Sequence, residues 1–280
     1  MMQMDPYLNL IRKVLTEGEQ RKSERTGVGT LSVFGGILEF DLRRRFPLLQ
    51  HKETKWATAF KEMMWFLSGK CDTTEGLNAL GSRLWDPWAD KDGNVGPIYG
   101  VNWREWLASE DKSSPGYYHD QVKNAIEAIK SDPQSRRILV SAWNVAELEF
   151  MALPPCHWAH QLYVSNDGFL DMMVHQRSWD LMLGAPFNIA QYALLLHLYA
   201  RATGKTARML KFTYGDAHIY ENHIEAANIM DNAMLAHEKD EDNACLHIVS
   251  ANTDIDGFKI EDFHIEGYDP CPHIPLPVAV

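Results

Sequence analysis

The chain has few cysteines, no excess of basic residues and no long uninterrupted hydrophobic run. Its four cysteines (Cys71, Cys156, Cys245 and Cys271) among 280 residues are too few and too widely spaced for a disulfide framework, which favours a reducing compartment. With 27 basic side chains against 38 acidic ones, the net charge of −11 argues against a general nucleic-acid binder, because a phosphate backbone would be repelled.

The longest apolar stretch covers residues 189–202 and is interrupted by Gln191 and other polar residues. It is too short and too polar to span a bilayer, so it predicts a buried core helix. Asp5-Pro6, followed by apolar residues at helical spacing, predicts a helix at the N-terminus rather than a signal peptide. With the cysteine usage, these features predict a cytoplasmic protein.

Helix and strand patterns are mixed along the chain without regular βαβ alternation. Alternating residues at 30–42, interrupted by Gly35-Gly36, predict a bulged strand pair. Apolar residues at helical spacing predict helices at 57–67 and 122–129.

The second half of the chain carries the strongest turn signal. Asn166-Asp167-Gly168 predicts a hairpin between two strands, and further short strands are expected near 209–212 and 246–249. With no internal repeat or linker, the sequence predicts a single α+β domain over residues 1–280. At 45% hydrophobic residues, the chain can bury a large core.

Pro154-Pro155-Cys156-His157 is the first candidate for chemistry. Two prolines fix the backbone before the thiol, which is a way to present a nucleophile. His157, and Arg177 just across the predicted hairpin, are the candidates for nearby positive charge. Most unpaired cysteines are instead small buried side chains. A metal site formed by Cys156, His157 and His160 is a less favoured alternative, because adjacent ligands are awkward and no second ligand pair follows.

Four arginines, Arg25, Arg136, Arg137 and Arg177, lie in or beside predicted loops and strands. Any one of them alone is typical of a solvated surface. Together with Ser178 they are able to form a phosphate site, because guanidinium groups match phosphate oxygens bidentately. Adjacent side chains of a regular strand point to opposite faces, so Arg136 and Arg137 can share one anion only where the strand is irregular.

Three further positions have both a structural and a functional interpretation. Glu62 lies in an apolar helix, where its carboxyl group either faces solvent or is desolvated and suited to proton transfer. Asn188 is either a helix N-cap or an amide that reads a base edge. His218 and Tyr220 lie on the same side of an extended segment, where they contact either a sugar hydroxyl or the core.

At this point the chain resembles the thymidylate synthase family, from Tyr7 to Val280. The motifs that carry the resemblance are Glu24-Arg25-Thr26-Gly27, Trp85-Asp86-Pro87-Trp88-Ala89-Asp90, Gly96-Pro97-Ile98-Tyr99-Gly100, Ser135-Arg136-Arg137, Ser141-Ala142-Trp143-Asn144-Val145, Pro155-Cys156-His157, Gln176-Arg177-Ser178, Pro186-Phe187-Asn188-Ile189-Ala190, Asp216-Ala217-His218-Ile219-Tyr220 and Glu266-Gly267-Tyr268. The resemblance implies an α+β subunit with a large twisted mixed sheet, helices packed on one side of it, and a homodimer formed sheet to sheet.

The resemblance also implies a dUMP site. Cys156 would attack C6 of the uracil ring, with Glu62 relaying protons, Tyr99 assisting removal of the C5 proton, and His157 belonging to the catalytic group. The nucleotide contacts implied are Arg25, Gln176, Arg177, Ser178, Asn188, His218 and Tyr220, joined by Arg136 and Arg137 from the partner subunit. Asn188 would bind the uracil imide and so favour dUMP over dCMP.

The co-substrate implied is 5,10-methylenetetrahydrofolate, with no metal. Asp180 would bind the pterin and take part in catalysis. The rest of the implied folate site is Lys52, Trp85, Trp88, Leu153, Gly184, Phe187, Val278 and Ala279. The C-terminal residues would close over the folate and exclude water.

The sequence departs from the family pattern at several positions: Glu53 beside Lys52, and Trp158, His160, His175, Trp179 and Tyr214. New histidines near Cys156 are able to hold a water molecule. The expected reaction is reductive methylation of dUMP to dTMP, which releases dihydrofolate. The alternative is attack by water, which gives 5-hydroxymethyl-dUMP, the product of the related phage hydroxymethylases. A silent nucleotide-binding relative is a third interpretation.

Overall fold

A six-stranded sheet forms the centre of the protein in a computed structural model, which describes residues 4–22, 27–108, 117–235 and 243–278. The strands are β1 (Glu19–Arg21), β2 (Thr30–Asp41), β3 (Trp106–Leu107), β4 (Tyr118–His119), β5 (Leu139–Ser141), β6 (His157–Val164), β7 (Phe169–Asp180), β8 (Thr206–Tyr220), β9 (Cys245–Ile248) and β10 (Phe263–Glu266). The helices are α1 (Asp5–Glu17), α2 (Trp56–Leu67), α3 (Glu75–Ala79), α4 (Gly100–Arg104), α5 (Gln121–Ser131), α6 (Gly184–Thr203) and α7 (Ile224–Leu235).

The strand order of the large sheet is β1-β2-β8-β7-β6-β5. Its strands pair antiparallel except for β7 and β8, which run parallel and are connected by α6. Such a parallel pair needs a crossover, and a helix is the usual one. The mixed sheet confirms the predicted α+β fold in a single domain.

Helix α6 is the central helix of the core. It is apolar around almost its whole circumference, and such a helix is stable only when it is buried. It packs against β7, β8 and α2. Strand β7 presents Leu170, Met172 and Val174, at alternating positions, to the buried side. The predicted core helix over residues 189–202 is thereby confirmed, as are the helices predicted at 57–67 and 122–129.

Two strand predictions were wrong in extent. Residues 30–41 form one continuous strand, β2, because Gly35 adopts a positive φ of 82° and lets the strand pass through an irregularity. The short strand expected near 209–212 is the 15-residue β8. β8 is longer because it pairs with both β2 and β7, so its backbone is hydrogen-bonded on both sides even where its sequence is polar.

The other face of the sheet is open. A bulge in β6 sets two residues, Trp158 and Ala159, opposite His175 of β7, and the Trp158 and His175 rings lie 5.4 Å apart on this face. Exposed apolar side chains on the sheet strands are Phe34, Ile37, Leu139, Trp158 and Tyr163.

Within the described ranges, no helix is long and apolar enough to cross a membrane.

Candidate active site

A cavity of about 570 Å³ opens beside the ends of β7 and β8 and the start of α6. The sequence-predicted residues that line it are Glu62, Trp85, Trp88, Tyr99, Leu153, Cys156, His157, Gln176, Arg177, Ser178, Asp180, Gly184, Phe187, Asn188, His218, Tyr220 and Val278. The fold therefore brings together side chains that are up to 216 positions apart, from Glu62 to Val278 (278 − 62).

Cys156 lies immediately before β6, in a loop held by Arg177. The Arg177 guanidinium donates from Nε to the Pro155 carbonyl oxygen at 2.8 Å and from Nη2 to the Pro154 carbonyl oxygen at 2.6 Å. Nη2 also lies 3.8 Å from the Cys156 sulfur, and the guanidinium lies over the Trp143 ring at 5.5 Å. A fixed cation beside a thiol favours the thiolate, which is the nucleophilic form.

His157 does not provide that cation. Its imidazole is buried, shares a hydrogen bond of 2.8 Å with the Tyr192 hydroxyl and stacks on Tyr99 with ring centroids 4.1 Å apart. Burial lowers the pKa of His157 to about 3, so the ring is neutral near pH 7. Of the two candidates for positive charge beside the thiol, His157 is therefore neutral, and Arg177 lies next to the sulfur.

Tyr99 connects the wall of the cavity to the nucleophile loop. Its hydroxyl oxygen accepts a hydrogen bond of 2.9 Å from the backbone N–H of Cys156. Burial, with negative charge on Cys156 as a lesser cause, raises the pKa of Tyr99 well above its usual value. Tyr99 is therefore a neutral phenol near pH 7, and it can orient the loop and donate its own proton.

Glu62 is buried on α2 and is oriented by two donors. One carboxylate oxygen accepts a hydrogen bond of 2.5 Å from the Trp85 indole N–H, and the other accepts one from the Gln191 side-chain amide. Burial raises the pKa of Glu62 to about 7, and the two hydrogen bonds oppose that rise only in part. A carboxyl group that titrates near neutral pH is suited to passing protons.

Asn188 is on the first turns of α6 and takes part in a side-chain network. Its Oδ1 accepts hydrogen bonds from Gln176 Nε2 at 3.0 Å and from Trp179 Nε1 at 3.2 Å. Its Nδ2 donates to Gln191 Oε1 at 3.2 Å. No side-chain cap is found at the start of α6, where Leu183 is the N-cap residue. Asn188 is thus not the N-cap of this helix, and its amide borders the cavity.

A polar group of side chains lines the cavity at the ends of β7 and β8. Ser178 and Arg177 are neighbours on β7, and β8 places His218 beside Asp180 in the parallel register. The His218 imidazole pairs with the Asp216 carboxylate at 2.9 Å, which fixes the ring. Guanidinium, hydroxyl and imidazole groups together can bind a phosphorylated sugar.

Aromatic and apolar side chains form the opposite wall. Trp85 and Trp88 lie with ring centroids 5.6 Å apart, and Leu153 and Phe187 also border the cavity. Asp180 accepts hydrogen bonds from the backbone N–H groups of Met182 at 2.9 Å and Leu183 at 3.2 Å, and so fixes the turn into α6. Flat aromatic surfaces beside an oriented carboxylate suit a planar heterocycle with ring N–H groups.

Val278 lies at the cavity because the segment before it is anchored. The buried His223 shares a hydrogen bond of 2.8 Å between its Nε2 and the Pro277 carbonyl oxygen. Of the two C-terminal residues predicted to contact the folate, Val278 lines the cavity, and Ala279 lies outside the described residues.

Of the predicted site residues that the structure describes, Lys52, Arg136 and Arg137 are not among those that line the cavity. Lys52 is buried, and its ammonium group donates to the Met182 carbonyl oxygen at 2.6 Å. Burial lowers the pKa of Lys52 to about 8. Its expected place in the folate site therefore stays a prediction. Arg136 and Arg137 are exposed before β5, and Arg25 lies outside the described residues.

Two site residues were not predicted from the sequence. Gln191 connects Asn188 to Glu62, and the signal for it was a polar residue inside an apolar helix. Trp179, which is fully buried, entered the sequence analysis only as a departure from the family pattern.

The alternative of a metal site was formed by Cys156, His157 and His160. Within the described ranges, no group of three or more candidate ligands is placed to hold a metal, and the His160 imidazole bonds to the Tyr199 hydroxyl at 3.2 Å.

The mixed six-stranded sheet with its helices is consistent with the thymidylate synthase fold, which belongs to a family of transferases. The sequence matches the family model described as thymidylate synthase over residues 5–280, and the chain belongs to the thymidylate synthase family. Members of this family act on dUMP with a folate, adding a one-carbon unit at C5 of the pyrimidine.

Proposed function

We propose that the protein methylates dUMP reductively, using 5,10-methylenetetrahydrofolate and releasing dTMP and dihydrofolate. The observation that carries the proposal is the position of Cys156. Its sulfur borders the cavity beside the Arg177 guanidinium, and the Tyr99 hydroxyl fixes the backbone of the same residue.

In the first step the Cys156 thiolate adds to C6 of the uracil ring, and the electron pair moves to C5. Arg177 and Ser178, with His218 and Tyr220, hold the phosphate and sugar, and Arg25 is expected to join them. Gln176 and Asn188 contact the base. Holding both ends of the nucleotide turns a bimolecular attack into an intramolecular one.

C5 then attacks the methylene carbon of the folate as one of its two C–N bonds breaks, and loss of the C5 proton with cleavage of the second C–N bond leaves a methylene group on C5 and frees tetrahydrofolate. Hydride from tetrahydrofolate then adds to this methylene group as the C6–S bond to Cys156 breaks, which gives dTMP and dihydrofolate. Glu62 is the proton carrier in this account, because its carboxyl group titrates near pH 7 and is fixed by two donors. Tyr99 and Asp180 orient the reacting groups. Trp85, Trp88, Leu153, Gly184, Phe187 and the C-terminal Val278 and Ala279 surround the folate.

The choice between methylation and hydroxymethylation depends on which nucleophile reaches the one-carbon unit at C5. Hydride from tetrahydrofolate gives the methyl group, and water gives the hydroxymethyl group. The histidines considered as water ligands do not line the cavity: His160 is buried against Tyr199, and His175 bonds to the Thr213 hydroxyl at 2.9 Å on the open face of the sheet. Trp85 and Phe187 line the cavity instead, which favours a dry site and hydride transfer.

The proposal includes a homodimer. The open face of the sheet exposes Phe34 and Ile37 on β2 and Tyr163 on β6, an arrangement that suits burial against a second copy. Arg136 and Arg137 precede the edge strand β5 and are exposed. In the proposed dimer each subunit donates them to the phosphate site of its partner. A cytoplasmic location is proposed with it, from the four cysteines, none of which is disulfide-bonded.

The products of a single incubation test the proposal. The full chain is supplied with dUMP and methylenetetrahydrofolate, the nucleotide product is weighed by mass spectrometry, and dihydrofolate is followed by absorbance. The proposal predicts a methylated nucleotide with one dihydrofolate per turnover. A hydroxymethylated nucleotide without dihydrofolate would establish the alternative reaction, and dUMP binding without turnover would identify a silent relative.

A further inference from the structure

Trp179 lies behind the base-contacting side of the cavity. It is fully buried near the end of β7, and its ring stacks on Phe212 with centroids 5.0 Å apart. The Tyr214 ring lies 6.0 Å away, tilted by 36°. The indole is therefore held rigidly by two aromatic neighbours, and its N–H donates to Asn188 Oδ1 at 3.2 Å.

Asn188 belongs to a directed series of hydrogen bonds. Its Nδ2 donates to Gln191 Oε1 at 3.2 Å, and Gln191 Nε2 donates to the Ala59 carbonyl oxygen at 3.3 Å and to the Glu62 carboxylate. The series begins at a group that can only donate, the indole N–H, and ends at a carbonyl group that can only accept. The amides between them must therefore all point the same way.

Asn188 has two other hydrogen-bonded neighbours. Gln191 is oriented by the Ala59 carbonyl oxygen and supports the same direction, but Gln176 cannot fix it. Gln176 also donates to Asn188 Oδ1, but its own Oε1 has no hydrogen-bond partner among the described residues. If the Asn188 amide were reversed, the Gln176 amide could also turn over, so that its Oε1 would accept from Asn188 and its Nε2 would be the unpaired group. Gln176 therefore fits either orientation of Asn188. The indole of Trp179 has no such freedom.

The direction of the series decides what Asn188 offers to a ligand. Its Oδ1 already accepts two hydrogen bonds, which fills both lone pairs. One hydrogen of Nδ2 is used by Gln191, and the second remains for the cavity. A donor at this position complements the C4 carbonyl of uracil and opposes the C4 amino group of cytosine.

We propose that Trp179 is a positioning residue for base specificity: together with Gln191, it holds the Asn188 amide with its N–H toward the nucleotide. This inference rests on the proposed function, because it assumes that a pyrimidine nucleotide occupies the cavity. Trp179 is fully buried and is not among the residues that line the cavity. It acts through Asn188.

The test is Trp179→Phe, which keeps a buried aromatic ring and removes the N–H. The matched control is Trp103→Phe: Trp103 is also fully buried, and its indole N–H has no hydrogen-bond partner within the described ranges. Calorimetry measures the dissociation constants of dUMP and dCMP for the full chain. Loss of one hydrogen bond that orients the amide predicts about a tenfold fall in the preference for dUMP in W179F. W103F should keep the preference of the native protein.

The outcomes separate the inference from the proposed function. If the native protein binds neither nucleotide, the proposed function fails. If it prefers dUMP and W179F retains that preference undiminished, the inference fails while the proposed function stands. An equal loss in W103F would show that any change of core packing suffices, which also overturns the inference.

A spectroscopic measurement covers the case in which W179F does not fold. A ¹H–¹⁵N spectrum of the native protein shows indole resonances from its nine tryptophans. Asn188→Ala removes the acceptor of the Trp179 N–H and should move one of those resonances upfield by more than the others, while the Trp103 resonance, assigned with W103F, stays in place. A spectrum in which every indole resonance is unchanged would contradict the proposed contact.

Discussion

The Arg177 guanidinium lies across the loop that carries the nucleophile, with its Nη2 atom 3.8 Å from the Cys156 sulfur. The same side chain binds the carbonyl oxygens of Pro154 and Pro155. One arginine therefore holds the loop in place and supplies the positive charge beside the thiol. The two prolines contribute by limiting the conformations of the loop before it is bound.

Arg177→Lys should separate these two contributions. A lysine keeps the charge but has no planar fork with which to bind two carbonyl groups, so we expect kcat to fall about 100-fold, a loss of positioning rather than of charge. Steady-state kinetics with dUMP measure it. Arg83→Lys is the control, because Arg83 pairs with Asp86 at the exposed surface, and a similar loss there would contradict the explanation.

Asn188→Asp should shift the base preference toward dCMP. A carboxylate replaces the Nδ2 donor with an acceptor, which suits the C4 amino group of cytosine and opposes the C4 carbonyl of uracil. Because a mismatched base leaves buried polar groups unpaired, the ratio of kcat/KM for dUMP over dCMP should fall at least about 100-fold. Unchanged selectivity would show that the Asn188 side chain does not read the base.

Glu62 should lower the stability of the fold as the pH rises. Its carboxyl group has a pKa of about 7 in the folded protein and about 4.5 in the unfolded chain. Between these values the carboxyl group ionises only in the unfolded chain, which stabilises the unfolded state and lowers the unfolding free energy. Glu62→Gln removes this penalty. Relative to the native protein, E62Q should gain about 3 kcal/mol in unfolding free energy between pH 5 and pH 8. Urea unfolding at both values measures the gain; a difference that does not change with pH would show that Glu62 titrates normally.

Buried histidines should make the protein sensitive to mild acid. Burial lowers the pKa of His157 and His160 to about 3 and of His197 to about 4. Between pH 6 and pH 5 the unfolded chain therefore holds protons on three histidines that are neutral in the folded chain. The folded chain in turn holds a proton on Glu62 that the unfolded chain has released, so the net difference is about two protons. The unfolding free energy should fall by about 3 kcal/mol per pH unit between pH 6 and 5, and by about 4 in E62Q. A flat profile in urea unfolding would contradict the assignment of neutral imidazoles.

The sequence predicted the buried elements well and the extent of the strands poorly. Helices α2 and α5 carry apolar residues at helical spacing and α6 carries a long apolar stretch, and the structure confirmed all three. Strand β8 was underestimated because hydrogen bonds to two neighbouring strands extend it through polar positions, and no local pattern reports those neighbours. Gly35-Gly36 predicted a bulged strand pair, but Gly35 lies within the single strand β2, where its positive φ is accommodated.

For the site, sequence motifs predicted most of the cavity lining but not the links between its members. Pro-Pro-Cys-His pointed to Cys156, and two cations were candidates beside it, but only the contacts show that His157 is neutral and that Arg177 lies next to the sulfur. Lys52 carried a motif position but is buried against a carbonyl group. Trp179 and Gln191 act only through contacts with Asn188, and such contacts depend on packing that one sequence does not reveal.

The most direct test of the account is to trap the nucleotide on its nucleophile. A dUMP analogue with fluorine at C5 can accept the thiol at C6 and the one-carbon unit at C5, but it cannot then lose a C5 proton. After incubation with this analogue and methylenetetrahydrofolate, the intact protein should gain the mass of both molecules, and peptide mapping should place the adduct on Cys156. Cys156→Ser should form none. An adduct on another residue, or turnover of dUMP by the Cys156→Ser protein at the native rate, would contradict the assignment of Cys156 as the nucleophile.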